Sequence, residues 1–177
     1  MILNNCVKLD YNFDITNLKK ECHDIIEKVG LHSETNQISL KHTAERDDRN
    51  LWYEGVGSFR KETNLKRLQQ KDFTELNKNI LDTYIGQVYK EITKEYDTGR
   101  CRIMGLPGQK CMTLHYDMTK RIHIPIETNE DCLMIIDNEV IHMPADGSVY
   151  LTNTFKRHTA LNANWDFMRL HLVFDLL

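Results

Sequence analysis

Apolar residues recur every three to four positions in two stretches of the first hundred residues, which is the period of an amphipathic helix. In the first stretch these positions are Ile15, Leu18, Cys22, Ile25, Ile26 and Val29. Asp14 or Thr16 is placed to cap this helix, and Gly30 is placed to end it. In the second stretch they are Leu76, Ile80, Leu81, Tyr84, Ile85, Val88 and Ile92. The pattern predicts a second helix entered through Asp72 or Thr74, with short strands or loops at 36–40 and 52–59 before it.

From residue 102 onward the hydrophobic period changes to two, which is typical of strands with one buried face. Turn-forming pairs such as Pro107-Gly108 and Asp137-Asn138 separate the alternating runs. The candidate strands cover 102–106, 110–117, 121–126, 132–137, 140–143, 148–153, 157–161 and 168–176. Helices followed by seven or eight short strands predict a mainly β fold with flanking helices, in which a jelly-roll-like barrel is braced by helices on one face.

Two candidate strands carry aliphatic side chains on one face and charged or imidazole side chains on the other. In the strand at 121–126, Arg121 and His123 lie opposite an isoleucine face. In the last strand, Arg169, His171 and Asp175 lie opposite a face of leucine and phenylalanine. We expect the helices to cover the aliphatic faces, which turns the charged faces into the barrel. Buried charges need a ligand or a partner, so the barrel interior is where function is predicted.

Composition narrows the class of protein. A chain of 177 residues without internal repeats or linkers predicts a single domain, with a helical and mixed part at 1–100 and a β core at 101–177. The formal net charge of −3 argues against a general nucleic-acid binder. The apolar runs are too short to span a membrane, and the N-terminus has no secretory signal pattern, so a cytoplasmic location is predicted. Five cysteines without a C-x-x-C pair indicate neither a disulfide framework nor a zinc ribbon.

The candidate chemistry lies in three strands of the β region. His115 and Asp117 stand two positions apart on a strand, so both side chains leave the same face and can bind one ion. His158 follows forty-one positions after Asp117 and can complete a facial triad of two histidines and a carboxylate, the ligand set of non-haem Fe(II) oxygenases. Arg169 follows His158 by eleven positions and can form a bidentate ion pair with a dicarboxylic cosubstrate. The alternative is a buried Asp–His–Arg network without a metal.

The stretch from residue 102 to 175 resembles the aspartyl/asparaginyl β-hydroxylase family of Fe(II)- and 2-oxoglutarate-dependent oxygenases, including bacterial members that hydroxylate free amino acids such as proline. The matching segments are RIMGLPG (102–108), HYD (115–117), RIHIPIETN (121–129), HMPADGSVYLTN (142–153), RHTALN (157–162) and RLHLVFD (169–175). They occur in the order of the family with similar spacing. In the first hundred residues we identify no motif of the family.

The resemblance implies a double-stranded β-helix in which His115, Asp117 and His158 bind iron. It implies that Arg169 binds the C5 carboxylate of 2-oxoglutarate, and that Arg121 and His123 contact the carboxylate of the cosubstrate or substrate. The implied reaction uses O₂ to hydroxylate an unactivated C–H bond and yields succinate and CO₂.

The substrate is predicted less directly. Asp117 groups the chain with the hydroxylases of free amino acids rather than with the animal protein hydroxylases, which lack this carboxylate, and it argues against halogenation. We therefore predict a free amino acid or a small amino-acid derivative as substrate, with Arg121 and Trp165 as binding residues. The alternatives are hydroxylation of Asp, Asn or other residues of a protein, and a metal-binding cupin-like module without oxygenase activity.

Overall fold

The structure is a computed structural model that describes residues 4–44, 51–57 and 68–177. Its helices are α1 (Ile15–Val29) and α2 (Tyr84–Ile92), with 3-10 helices at Gln70–Asp72 and Lys78–Ile80. Its strands are β1 (Cys6–Asn12), β2 (Gln37–Ser39), β3 (Lys41–His42), β4 (Glu75–Leu76), β5 (Thr98–Leu106), β6 (Lys110–Cys111), β7 (Arg121–Glu127), β8 (Cys132–Ile136), β9 (Glu139–His142), β10 (Ser148–Thr152), β11 (His158–Asn162) and β12 (Arg169–Leu176). The predicted mainly β architecture with flanking helices is confirmed.

The strands form two antiparallel sheets that pack against each other. The larger sheet has the order β1-β10-β7-β12-β5-β2, and the smaller has the order β6-β11-β8-β9. Met134 and Ile136 of β8 pack against Tyr150 of β10, so a small apolar cluster joins the two sheets. A separate two-stranded ribbon pairs β3 with β4. The larger sheet takes β1 and β2 from the first hundred residues and the other four strands from around and beyond residue 100, so both parts of the chain build it.

The two faces of the larger sheet differ as predicted. The aliphatic face of β7 and β12 packs under α1 and α2 in the main hydrophobic core. Each fully buried aliphatic side chain in this core contributes about 1.5–3 kcal/mol. Asp14 caps α1 by accepting a hydrogen bond from Asn17 N, and Gly30 ends the helix with φ of 76°. Within the described residues, neither helix has the length and apolar composition that a membrane span requires.

The second helix is shorter than predicted. The periodic apolar residues 76–81 do not belong to it, because Leu76 pairs with Lys41 in the β3–β4 ribbon and Ile80 ends a 3-10 turn. The helix begins after Thr83, whose hydroxyl accepts a hydrogen bond from Gly86 N, so the predicted entry at Asp72 or Thr74 is wrong. A Cβ at Gly86 would lie 2.1 Å from the Ile80 carbonyl oxygen, so the chain folds back tightly here. The apolar spacing shows which residues face the core. A strand, a 3-10 turn and a short helix place these residues in the core without one continuous helix.

The strands also differ from the prediction at three places. β1 was not predicted, although Leu9 and Tyr11 alternate with polar residues and pack on the main core. β5 begins at Thr98, four residues before the predicted start of this strand at residue 102. The predicted strand at 110–117 is regular only at Lys110–Cys111 and then contacts β11 through a bond from Met112 N to Ala160 O and an isolated bridge between His115 and His158. Residues 51–57 form turns, and the rest of the stretch predicted at 52–59 lies outside the described residues.

Candidate active site

Backbone pairing between two segments brings three potential metal ligands together. His115 and His158 lie opposite each other and exchange both backbone hydrogen bonds, with N···O distances of 3.0 and 2.7 Å. Asp117 N donates to Thr154 O at 2.8 Å, which fixes the carboxylate on the same side. One ligand atom from each of His115, Asp117 and His158 lies within 4.8 Å of the others. The three residues predicted from the H-x-D…H spacing therefore meet at one point.

Backbone carbonyls set the tautomer of both histidines. His115 Nδ1 lies 2.5 Å from Thr113 O, and His158 Nδ1 lies 2.9 Å from Lys156 O. Since a carbonyl oxygen only accepts, Nδ1 carries the proton in each ring and Nε2 presents a lone pair. This is the support that metal-binding histidines require.

The donor set fits a cation. Within the described residues, His158 Nε2 is buried without a hydrogen bond and lies 3.3 Å from Asp117 Oδ2. Burial raises the pKa of Asp117, but the contact with His158 and the charge of Arg121 outweigh burial. The net shift of the pKa is downward, so the carboxylate is ionised. When Nε2 of His158 is unprotonated, its lone pair and the carboxylate oxygen repel each other at this distance, and a cation between them, either a proton or a metal ion, removes the repulsion. Two imidazoles and one carboxylate suit Fe(II) and leave coordination positions open.

Asp175 is the centre of a buried ion-pair network beside the metal ligands. It is fully buried and lies 2.5 Å from Arg102 Nη2, 2.7 Å from Arg121 Nε and 3.1 Å from Arg100 Nε. Burial raises its pKa, but the three guanidinium groups outweigh burial, and the net pKa lies well below the usual range. Arg121 also reaches the metal ligands, because its Nη2 lies 2.9 Å from Asp117 Oδ2. The network therefore ends on Asp117, one of the three potential metal ligands.

Arg169 forms the other charged part of the barrel interior. Its side chain is 6% exposed, and its Nη2 lies 3.2 Å from His171 Nδ1. No carboxylate of the described residues lies within ion-pair distance of Arg169. Burial lowers its pKa to about 10, which leaves the guanidinium charged at neutral pH. A buried cation that no carboxylate of the described residues neutralises is a candidate binding site for an anion.

Two neutral histidines lie beside Arg169. His171 Nδ1 accepts from Arg169 and lies 3.3 Å from His123 Nδ1, so His123 donates to it. The Nε2 atoms of both rings are buried without a partner in the described structure. Burial and the charge of Arg169 hold the pKa of both rings well below the usual histidine value. The interior thus offers two further polar atoms to a ligand without adding charge.

His171 is the site residue to which the motif analysis gave no role. Its signal is a second R-x-H motif: Arg121-Ile122-His123 and Arg169-Leu170-His171 lie on the neighbouring strands β7 and β12. In both motifs the arginine and the histidine share the inner face. His123 pairs with Val173, between His171 and Asp175 along β12. The polar row on the inner face therefore runs from Arg169 through the histidines to Arg121.

Trp165 lies apart from this row. It is 76% exposed in the loop between β11 and β12, at the opposite end of β11 from His158. Its backbone packs against Gly108, where a Cβ would lie 2.4 Å from Trp165 O. A role of Trp165 in substrate binding stays a prediction.

An exposed apolar row lies next to the metal ligands. Leu114, Tyr116 and Met118 alternate with His115 and Asp117, and their exposed fractions are 48%, 67% and 84%. Phe155 is 55% exposed, next to Thr154, which holds the backbone of Asp117. The segment thus presents metal ligands on one side and apolar side chains to solvent on the other.

Solved structures with little sequence identity share this fold. An oxidoreductase of the 2OG-Fe(II) oxygenase family from Burkholderia pseudomallei aligns with a TM-score of 0.55 and 15% identity, over 97% of this chain and 84% of its own. The viral collagen prolyl hydroxylase of Paramecium Bursaria Chlorella virus-1, in complex with 2OG, aligns with a TM-score of 0.57 and 9% identity, over 98% and 96%. The prolyl-4-hydroxylase of Pseudomonas putida aligns with a TM-score of 0.50 and 9% identity, over 97% and 91%. These likenesses confirm the double-stranded β-helix.

The sequence itself gives the family. No curated protein matches the chain at a significant level. Residues 15–177 match the aspartyl/asparaginyl β-hydroxylase family, which is nearly the whole chain. The chain therefore belongs to the aspartyl/asparaginyl β-hydroxylase family and is a hydroxylase.

Proposed function

We propose that this hydroxylase binds Fe(II) through His115, Asp117 and His158 and 2-oxoglutarate through Arg169, and that it hydroxylates an unactivated C–H bond of a free amino acid or a small amino-acid derivative. The observation that carries the proposal is one interior row that joins a cluster of potential metal-ligand atoms to a buried guanidinium, which pairs with no carboxylate of the described residues. A dicarboxylate that binds the metal at one end and a cation at the other suits such a row.

The residues of the chain have separate tasks in this proposal. When bound, Fe(II) and 2-oxoglutarate supply O₂-dependent oxidation of the C–H bond, with succinate and CO₂ as coproducts. The carbonyls of Thr113 and Lys156 keep the Nε2 lone pairs of His115 and His158 directed at the metal. Arg169 fixes the distal carboxylate of the cosubstrate by a charge-assisted hydrogen bond.

His123 and His171 are further candidates for contact with the cosubstrate. Both rings lie beside Arg169, and both keep a buried Nε2 without a partner in the described residues. With Nδ1 of His123 donating and Nδ1 of His171 accepting, His123 Nε2 accepts and His171 Nε2 donates. His171 therefore adds a donor for the carboxylate that Arg169 binds. Arg121 is proposed for the same end of the pocket as the metal, since its Nη2 contacts Asp117.

Asp117 supports the free-amino-acid substrate. In this position the chain is similar to the hydroxylases of free amino acids, which keep the metal carboxylate. The carboxylate is ionised and held by Arg121, so it is fit for metal binding.

The second candidate is a residue of a peptide or protein. The observation that favours it is the exposed row of Leu114, Tyr116 and Met118 next to the metal ligands, which an extended peptide can cover. Two structures of the same fold carry prolyl hydroxylase in their names, one of them for collagen.

A turnover assay separates these candidates. The purified chain, loaded with Fe(II), is incubated with 2-oxoglutarate and each of the twenty free amino acids, and in parallel with peptide mixtures. The readouts are succinate and a mass gain of one oxygen on the substrate, with His158→Ala as the inactive control. We expect one free amino acid or close derivative to be hydroxylated. Hydroxylation of peptides alone favours the second candidate, and no succinate in any mixture contradicts the oxygenase assignment.

A further inference from the structure

We infer that Asp175 is a positioning residue for the metal carboxylate Asp117 and acts on it through Arg121. The inference deepens the proposed function and rests on the metal site proposed there. Asp175 touches none of the three ligands. Arg121 lies between them, because it contacts both Asp175 and the potential ligand Asp117.

The geometry of Arg121 carries the inference. Arg121 and Asp175 are register partners on β7 and β12, and Arg121 Nε lies 2.7 Å from Asp175 Oδ1. The same guanidinium places Nη2 2.9 Å from Asp117 Oδ2. A guanidinium is planar and rigid, so fixing Nε also fixes the direction of Nη2. The position of Asp175 therefore decides where Arg121 holds Asp117.

Asp175 is itself held firmly. It is fully buried, and its Oδ2 accepts from Arg102 Nη2 while lying 3.1 Å from Arg100 Nε. Arg102 is oriented in turn by Gln37 Oε1 at 2.9 Å. The carboxylate is thus anchored in β12 and tied to β5 and β2.

The physical reason concerns competition for the lone pairs of Asp117. Arginine and carboxylate groups prefer a bidentate pair with two parallel hydrogen bonds. Such a pair between Arg121 and Asp117 would engage both oxygens of the carboxylate and compete with the metal for them. Because Nε of Arg121 donates to Asp175, the side-on pair through Nε and Nη2 is not available to Asp117, and Arg121 contacts Asp117 through Nη2 at ion-pair distance. Asp175 therefore lets Arg121 orient Asp117 without competing with the ion for both carboxylate oxygens.

The test measures metal affinity apart from turnover. Dissociation constants for Mn(II) are determined by electron paramagnetic resonance on the full chain without 2-oxoglutarate, far below the unfolding temperature of each variant. We expect Asp175→Asn, which keeps the shape and removes the charge, to weaken Mn(II) binding about tenfold, as for other residues behind metal ligands. Glu127→Gln is the matched control, because it makes the same chemical change on β7 in a carboxylate that pairs with Lys19 and His23. It should bind Mn(II) like the wild type.

Arg121→Lys separates position from charge. Lysine keeps the positive charge, but a single ammonium cannot hold both carboxylates in the fork geometry of arginine. We expect this variant to weaken Mn(II) binding as well, whereas a purely electrostatic role of the network leaves the affinity unchanged. It also decides the case if Asp175→Asn does not fold.

Each other result overturns the inference. Wild-type affinity in folded Asp175→Asn or in Arg121→Lys removes the positioning role, and so does an equal loss in Glu127→Gln. A wild-type chain that binds no Mn(II) is distinguishable from these results, because it contradicts the metal site of the proposed function itself.

Discussion

The two ends of β12 treat buried arginine in opposite ways. At the Asp175 end, three guanidinium groups from β5 and β7 converge on one carboxylate, and Arg121 also contacts Asp117, so much of their charge is balanced inside the protein. At the Arg169 end, the guanidinium is as deeply buried and meets only a neutral imidazole in the described structure. Removing a charge from water costs free energy in both places, but only at the Asp175 end do ion pairs within the described structure offset this cost. The difference indicates which end stabilises the protein and which end is kept for a ligand.

The contrast between the two ends also suits the charge pattern of the proposed cosubstrate. Asp175 lies next to the residue that holds the metal carboxylate, and Arg169 begins the same strand. His171 and His123 fill the interval, and both remain uncharged because burial and the charge of Arg169 lower their pKa. A cation at one end, a cluster of potential metal ligands at the other and neutral polar atoms between them suit the extended dianion that the proposed function requires.

The largest expected effect is at the metal end. His158→Ala removes a buried ligand and leaves only His115 and Asp117, so we expect turnover to fall below detection. Asp117→Ala should be similarly severe. Circular dichroism should show a folded protein for both, because the backbone bonds between His115 and His158 remain. Turnover is followed as succinate release, and activity persisting in His158→Ala contradicts the ligand assignment. Near-full activity in Asp117→Ala instead groups the chain with two-histidine enzymes.

How far the sequence predicts this arrangement depends on the range of the interactions. The H-x-D…H spacing identifies His115, Asp117 and His158 because strand geometry fixes which side chains share a face. Alternation likewise places Arg169 and Asp175 on the inner face of β12. The contacts of Asp175 with Arg100 and Arg102 depend on which strands become neighbours. The periodicity of the sequence does not predict the order of the strands in the sheet.

Two misses have a common cause. The apolar spacing from Leu76 to Ile92 predicts one helix, but Leu76 pairs with Lys41, far away in sequence, and Thr83 starts a shorter helix. β1 has the period of a strand, but its partner β10 lies near the other end of the chain. In both cases a long-range pairing decides the backbone, whereas the local pattern shows only which residues face the core.

The next largest effect is on stability and sharpens the contrast between the ends of β12. Asp175→Asn leaves buried guanidinium groups without their shared counter-ion, so we expect the free energy of unfolding to fall by about 3–5 kcal/mol. Arg169→Met removes a cation that the fold does not neutralise and replaces it with an apolar side chain of similar length. We expect the ligand-free protein to lose no stability by this change. Urea denaturation of both variants measures the difference, and equal losses at the two ends would remove the distinction drawn here.

A smaller effect is expected on cosubstrate binding. A charge-assisted hydrogen bond to a carboxylate contributes about 1.5–3 kcal/mol, so Arg169→Ala should raise the Michaelis constant for 2-oxoglutarate roughly ten- to a hundredfold. Arg169→Lys, which keeps the charge and loses the bidentate geometry, should lie between the variant and the wild type. The constant is measured with the best substrate of the panel at saturation. An unchanged value in Arg169→Ala moves the anchor to another cation of the inner face, for which we propose Arg121.

The smallest effect concerns the two histidines between the ends. Their pKa values are lowered in the folded protein by burial and by Arg169, with Arg121 adding to the shift of His123. Below the ordinary histidine pKa of about 6.5, the unfolded chain takes up protons that the folded chain does not, so stability falls as the pH decreases. Replacing both histidines by glutamine, which keeps hydrogen-bonding atoms and does not titrate, should flatten the fall. Urea midpoints of the wild type and the double variant between about pH 7.5 and 5.5 give the two slopes. Equal slopes would place the acid sensitivity in other groups and show that the interior between Arg169 and Asp175 admits protons.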